Sequence, residues 1–436
     1  MKNTFLQIMI FGLMAWGFVG CTQTPEEPEE PQGDPSVVVY ECNERLFART
    51  DAFKAIEAYV PQLEKLQVNV LWLMPIHPRG SLKSVGSPYC IKNHREIDPA
   101  FGTMDDLKSL VNTCHAHDIR VVLDWVANHT SWDNPWVSAH PDWYQAAQTS
   151  DEKMWNDVTF LNYSNREVRD TMTACMLYWI QEADIDGFRC DYAHGVPFDW
   201  WREATTAILQ EKPDAFLLAE TENTALYNYG FGLLYSWSYL TAIENLYSGK
   251  ASILKWISTS DNEFNSTPAG KERLRYITTH DECNSTSPQS VYTNVAGELS
   301  AFCLTIFMGG VPMIYSSQEL GYMQQLSFFD YKLLDFQSTN ATRTKLETLM
   351  QAYQDTRLLR TGKKQAGSLS DRVAYVEYRL GEKSLLVVCN TTNTAQTVDL
   401  PTAYQQAKVT DMLTREKRTL SAQLNVGAFE YVIYKK

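Results

Sequence analysis

The chain has 436 residues, 44% of them hydrophobic and 21% charged, with 12 Trp, 23 Tyr and 18 Phe. That balance excludes a disordered or fibrous polypeptide, and the length fits two or three domains or one large barrel with an appendage. A net charge of −14 at pH 7 argues against a nucleic-acid partner, because phosphate backbones are held by clustered Lys and Arg.

The chain opens with Lys2 and an apolar run over 5–19 that ends at Gly20-Cys21. A basic start, a short apolar core and a small residue at its end read as a secretory signal and not as a membrane span. The run Phe18-Val19-Gly20-Cys21 resembles a bacterial lipobox, so residues 1–20 read as a lipoprotein signal peptide and Cys21 as the acylated residue. Residues 21–35 repeat Pro and carry Glu26, Glu27, Glu29, Glu30 and Asp34; such a segment cannot build a core and reads as an acidic, Pro-rich tether. The expectation is an exported lipoprotein of the outer membrane, periplasmic or surface-exposed, with the membrane as a partner through its lipid. The eight cysteines after Cys21 are scattered without a CxxC. They read mostly as small buried hydrophobes, with one or two bridges left open.

From there short apolar runs alternate with amphipathic ones. Strands are expected at 37–40, 68–74, 119–124, 187–190, 216–219, 232–235, 274–278 and 311–315. Helical periodicity runs over 51–66, 104–117, 165–182, 200–211, 239–256, 296–308 and 342–356. Eight βα units predict an α/β chain with a closed (β/α)8 TIM barrel over 36–361. A doubly wound sheet is the alternative, but the first strand–helix turn lacks a Gly-rich phosphate loop. Two segments break the rhythm. Residues 130–163, with Trp132, Trp136, Trp143 and Trp155, read as a short excursion (domain B) from the third strand. Residues 362–436 carry short alternating strands at 372–378, 384–390, 397–400, 407–411 and 428–434, which predict an antiparallel β-sandwich.

Chemistry gathers where strands end. Asp124 closes the third strand, with Asn128 and His129 just beyond. Arg189 and Asp191 close the fourth, Glu220 the fifth, and His280 and Asp281 the seventh. One acid after a strand is usually a helix cap. Acids at several strand ends of one barrel share its C-terminal face, where such barrels hold catalysis. Asp191 and Glu220 end consecutive strands, so their carboxyl groups can stand close together at that face. Glu220 follows Leu217-Leu218-Ala219, so its proton should be held more tightly than usual.

The segments DWVANH, GFRCD, LLAE and TTHD resemble, in order, the four conserved regions of glycoside hydrolase family 13, the α-amylase family. SPYCIKNHREIDPAFGT, TFLNYSNREVRD and GGVPMIYSSQELG add to the likeness, which covers essentially the whole mature chain. The resemblance implies Asp191 as nucleophile, Glu220 as general acid/base and Asp281 as the third catalytic carboxylate. It implies substrate binding by Tyr89 (a stacking platform), Asp124, His129, Arg189 (which would also neutralise and position Asp191) and His280. Thr279 before His280-Asp281 and Asn93-His94 depart from common family residues, which bears on substrate binding and leaves the acids intact. The implied function is retaining cleavage of α-1,4-glucosidic bonds in starch-like glucans or maltooligosaccharides. The alternatives are an α-glucan transferase with the same carboxylates and a catalytically weak glycan-binding surface lipoprotein. No cofactor is expected. Relatives often hold calcium through an Asn matching Asn128, but the excursion's acids are dispersed, so a calcium requirement is not expected.

Overall fold

The computed structural model describes residues 36–436; the expected leader, the tether and Cys21 lie outside the described residues. Eight parallel strands close into a barrel: β1 (Val39–Cys42), β2 (Val70–Leu73), β3 (Arg120–Val126), β4 (Gly187–Asp191), β5 (Phe216–Ala219), β6 (Leu233–Leu234), β7 (Glu272–Arg275) and β8 (Val311–Tyr315). Each pairs with the next in sequence, and β1 closes on β8 through Val39↔Met313 and Tyr40↔Ile314. The strand side chains are almost entirely buried, as expected of strands enclosed by a layer of helices. Gly187 opens β4 because nothing larger fits: at φ 144° a Cβ there would lie 2.0 Å from the Phe216 carbonyl oxygen.

Two expected helices are each divided in the fold. The run 51–66 forms Ala52–Glu57 and Val60–Lys65, the second with Pro61 in its first turn, a residue that cannot donate to a helix already under way. The run 239–256 forms Trp237–Tyr247 and Ile253–Asn265, parted at Gly249 with φ 73°. The excursion after β3 is a three-stranded antiparallel sheet of His129–Ser131, Val158–Leu161 and Tyr144–Gln145, with Cys90, Val158 and Phe160 as its own small core.

The C-terminal region is a six-stranded antiparallel sheet ordered Lys363–Ser370, Val373–Leu380, Lys383–Asn390, Tyr431–Lys435, Lys408–Asp411, Lys417–Thr419. A two-stranded sheet pairs Gln396–Asp399 with Gln423–Val426. Alternation divides the large sheet's side chains. Val376, Leu385, Val387 and Ile433 join the barrel's core, while Val373, Leu386, Val388 and Tyr434 pack with Val398 and Val426 in a second core. Residues 36–436 therefore contain a closed barrel and a C-terminal unit with its own core.

Candidate active site

The carboxyl ends of β1, β3, β4, β5 and β7 converge on Arg189, whose side chain is completely buried. Its Nη1 donates to Asp124 Oδ1 at 2.9 Å and to Asp191 Oδ1 at 2.8 Å, and its Nη2 lies 3.2 Å from Glu220 Oε2. Trp72, Tyr89 and Tyr235 surround the guanidinium with ring centroids 5.0, 5.7 and 5.6 Å away. One cation thus ties together three carboxyl groups in a dry site and offsets the repulsion between those that are ionised.

Asp124 also accepts from Tyr89 Oη at 3.0 Å and Trp72 Nε1 at 3.2 Å, and burial raises its proton affinity against the opposing pull of Arg189. Neither Asp124 nor Arg189 has exposed side-chain surface. In this structure the two hold Tyr89, Trp72, Asp191 and Glu220 in place beneath the cleft. Glu220 follows β5, which pairs with β4 through Cys190↔Ala219. Its Oε2 accepts from the Tyr192 backbone N–H at 2.7 Å, an amide aimed there because Tyr192 adopts the left-handed conformation at φ 43°. Burial, then Asp191 and Asp281, raise Glu220 to about 8 while Arg189 opposes. A carboxyl in that state carries a proton at neutral pH.

Thr279 caps the helix His280–Ser285 by accepting from the Asp281 N–H at 3.1 Å, which sets His280 and Asp281 at the cleft. His280 Nε2 bonds Tyr89 Oη at 2.8 Å and lies 3.4 Å from Asp281 Oδ2; its Nδ1 bonds the buried carboxylate of Glu41 at the end of β1. Burial opposes the imidazolium, but Asp281 and Glu41 outweigh it and lift His280 to about 10. Because Tyr89 donates to Asp124, the charged Nε2–H donates to Tyr89, giving a continuous chain Glu41–His280–Tyr89–Asp124–Arg189–Asp191. His129 is the opposite case: burial lowers it, and its Nε2–H donates to the Tyr89 carbonyl at 3.2 Å.

Asp191, Glu220, Asp281, Tyr89, His129 and His280 all line one cleft of about 290 Å³, with Tyr192, Trp155, Phe328 and Phe329 on its walls. One face of Tyr89 is taken by His280, stacked at 5.3 Å and 21°. Of the excursion's tryptophans only Trp155 lines the cleft. Trp136 stacks on His94, Trp143 is buried, and Trp132 is covered by Lys83. Sequence reading missed Glu41, Trp155's neighbour Tyr192, and the Phe328–Phe329 pair. Glu41 carried the same signal as the others, an acid closing an apolar run.

A calcium site using Asn128 would draw on the excursion's acids, and three of these serve protein donors: Asp133 accepts from Ser81 and pairs with Lys92, Asp142 accepts from Asn165, and Glu152 accepts from the amides of Gln148 and Thr149. Among the described residues no three His, Cys, Asp or Glu side chains are grouped to hold a metal ion.

The sequence profile of the α-amylase catalytic domain matches residues 52–363. The chain is 25% identical over 358 residues to α-amylase 3 of Dictyoglomus thermophilum, covering 72% of this chain and 69% of that protein. It is 32% identical over 187 residues to a cyclomaltodextrinase of Geobacillus thermopakistaniensis, covering 38% of this chain and 31% of that one. The chain thus spans between about a third and about two thirds of these curated relatives. Among solved structures, a maltogenic α-amylase from Thermotoga neapolitana superposes with a TM-score of 0.80 at 25% identity, covering 92% of this chain and 98% of that one. An α-amylase from Lactobacillus plantarum shares the fold with a TM-score of 0.81 at 24% identity, over the same shares of the two chains. With the profile spanning most of the chain and the barrel closing as these structures do, the chain belongs to glycoside hydrolase family 13, the α-amylase family.

Proposed function

We propose that this chain is a retaining hydrolase of α-1,4-linked glucose chains, working through a covalent glycosyl-enzyme. The observation that carries the reading is the contrast between two carboxyls on adjacent strands in one cleft: Asp191 bonded to a buried Arg189, and Glu220 raised to about 8. The first suits a nucleophile and the second a general acid. In the first step Asp191 attacks the anomeric carbon while Glu220 gives its proton to the departing glycosidic oxygen. In the second, the Glu220 carboxylate takes a proton from water, whose oxygen displaces Asp191 and restores the original configuration. Asp281 and the cationic His280 stand beside this path and suit the hydroxyls of the sugar being cleaved, where hydrogen bonds that tighten in the transition state lower the barrier. No step needs a metal or cofactor. The leader and tether further support export as a lipoprotein acylated at Cys21. The test is proton NMR of maltooligosaccharide cleavage as it proceeds: the α-anomer should appear first, and a β-anomer appearing first would overturn retention. Chromatography of the same reaction separates hydrolysis from transfer, since transfer makes chains longer than the substrate.

A further inference from the structure

Charge is divided unevenly along this acidic chain. Residues 362–436 carry eleven Lys and Arg against seven Asp and Glu, a net +4, in a chain whose total is −14. The excess is concentrated at one edge of the large C-terminal sheet, in a groove of about 510 Å³ lined by Lys408, Lys417, Arg418, Lys435 and Lys436. Thr410 pairs with Lys435 on one side and with Lys417 on the other, and Lys408 stands two residues along the same strand. Alternation therefore sets Lys408, Lys417 and Lys435 on one face across three strands. A single Lys is enough to keep an edge strand from pairing with another chain; a row across three strands exceeds that need. None of the ion pairs among the described residues takes up Lys408, Lys417 or Lys436.

The place of this groove is as telling as its charge. Arg415, in the turn between Lys408–Asp411 and Lys417–Thr419, pairs with Asp355 at 2.5 Å. The neighbouring Gln354 brackets Ser36, accepting from its N–H at 3.0 Å and donating to its carbonyl at 2.8 Å. Ser36 is where the described chain begins, and its carbonyl also accepts from Asn69, just before β2. The groove and the point where the tether joins the body thus share the end of the barrel at which strands start, and the catalytic cleft opens at the opposite end.

We propose that this basic groove docks on a bilayer surface of anionic lipid headgroups, so that the underside of the barrel faces the membrane and the cleft faces away from it. Docking would hold the body in one orientation, which attachment at a single point does not do. The charge of the headgroups is what the lysines recognise, and each basic side chain near such a surface strengthens binding about fivefold.

The experiment uses residues 36–436, which hold the closed barrel and the complete C-terminal unit and lack the anchor, so failure of the lipoprotein reading and failure of this one are separable. At low salt this body should cosediment with vesicles of mixed phosphatidylglycerol and phosphatidylcholine and not with phosphatidylcholine alone, and salt should release it. The triple variant Lys408→Glu/Lys417→Glu/Lys436→Glu, all exposed positions, should keep its melting temperature and starch hydrolysis and bind at least about 100-fold more weakly. Amine labelling with vesicles present should spare Lys417 and Lys436 while Lys83, exposed two residues before Val85 of the cleft lining, stays reactive. Absence of binding at low salt, equal binding to both vesicles, or a triple variant that binds like the parent would overturn the proposal. So would loss of binding on restoring residues 22–35, which would make the acidic tether the groove's occupant.

Discussion

Glu41→Gln tests the hydrogen-bonded chain beneath the cleft. The substitution keeps the shape and the acceptor facing His280 Nδ1 and removes only the charge. His280 is held at about 10 by Asp281 and Glu41 against burial and against Arg189. Two unit charges about 4 Å apart attract by about 4 kcal/mol at an effective dielectric of 20, which corresponds to roughly a thousandfold in protonation. Without Glu41 the imidazolium should therefore lose its proton near pH 7. The sign follows from the direction: a group whose affinity for protons is raised in the folded enzyme stays charged as pH rises to about 10, and lowering that affinity moves the loss of charge down. In the parent, KM for maltooligosaccharides should not respond to His280 between pH 6 and 8. In the variant KM should climb through that interval, with the change in kcat smaller below it. The assay is a pair of pH profiles, kcat and KM, supported by NMR titration of the imidazole. Superimposable KM profiles, with His280 still charged at pH 8 in the variant, would refute the reasoning and leave Glu41 a packing residue.

Asp191→Asn should lower kcat by at least about 10⁴-fold on starch; its melting temperature should stay near the parent's because Arg189 keeps Asp124 as a partner, and a calorimetric scan beside the rate checks both. Turnover should fall as pH rises through about 8, where Glu220 gives up the proton it must donate; Glu220→Gln should abolish that limb and keep partial activity only on substrates with good leaving groups. Cys21→Ala should move the protein out of the membrane fraction while the purified body keeps its activity, as fractionation and a starch assay will report. Exhaustive chelation should leave both melting temperature and starch hydrolysis unchanged, and a loss that calcium alone reverses would place a metal site in the excursion.

What could be read in advance and what could not divide along a physical line. The barrel strands are legible because a strand buried on both faces must be apolar throughout, so 68–74 or 311–315 stand out whatever surrounds them. Asp191, Glu220 and Asp281 are legible because a charged residue directly after such a run has only the barrel's open end to occupy. Glu41 obeys the same rule but lies just beyond the apolar run 37–40, which stops two residues short of the end of Val39–Cys42. The rest was hidden for a different reason. Phe328 packs 5.1 Å from His280 and 5.9 Å from Tyr89, contacts that join three distant segments, yet it sits in a stretch with no periodicity of its own. All three residues of the strand Lys417–Thr419 are exposed, so no alternation announces it; its only signature is charge. Arg189 is legible only as the partner of Asp191 two residues on; the meeting of β3, β4 and β5 is what makes it the buried hub of three carboxyl groups. Local pattern reports which side chains must avoid water. Which of them meet once they have done so is decided by closure of the barrel, and the chemistry of this cleft belongs to that second step.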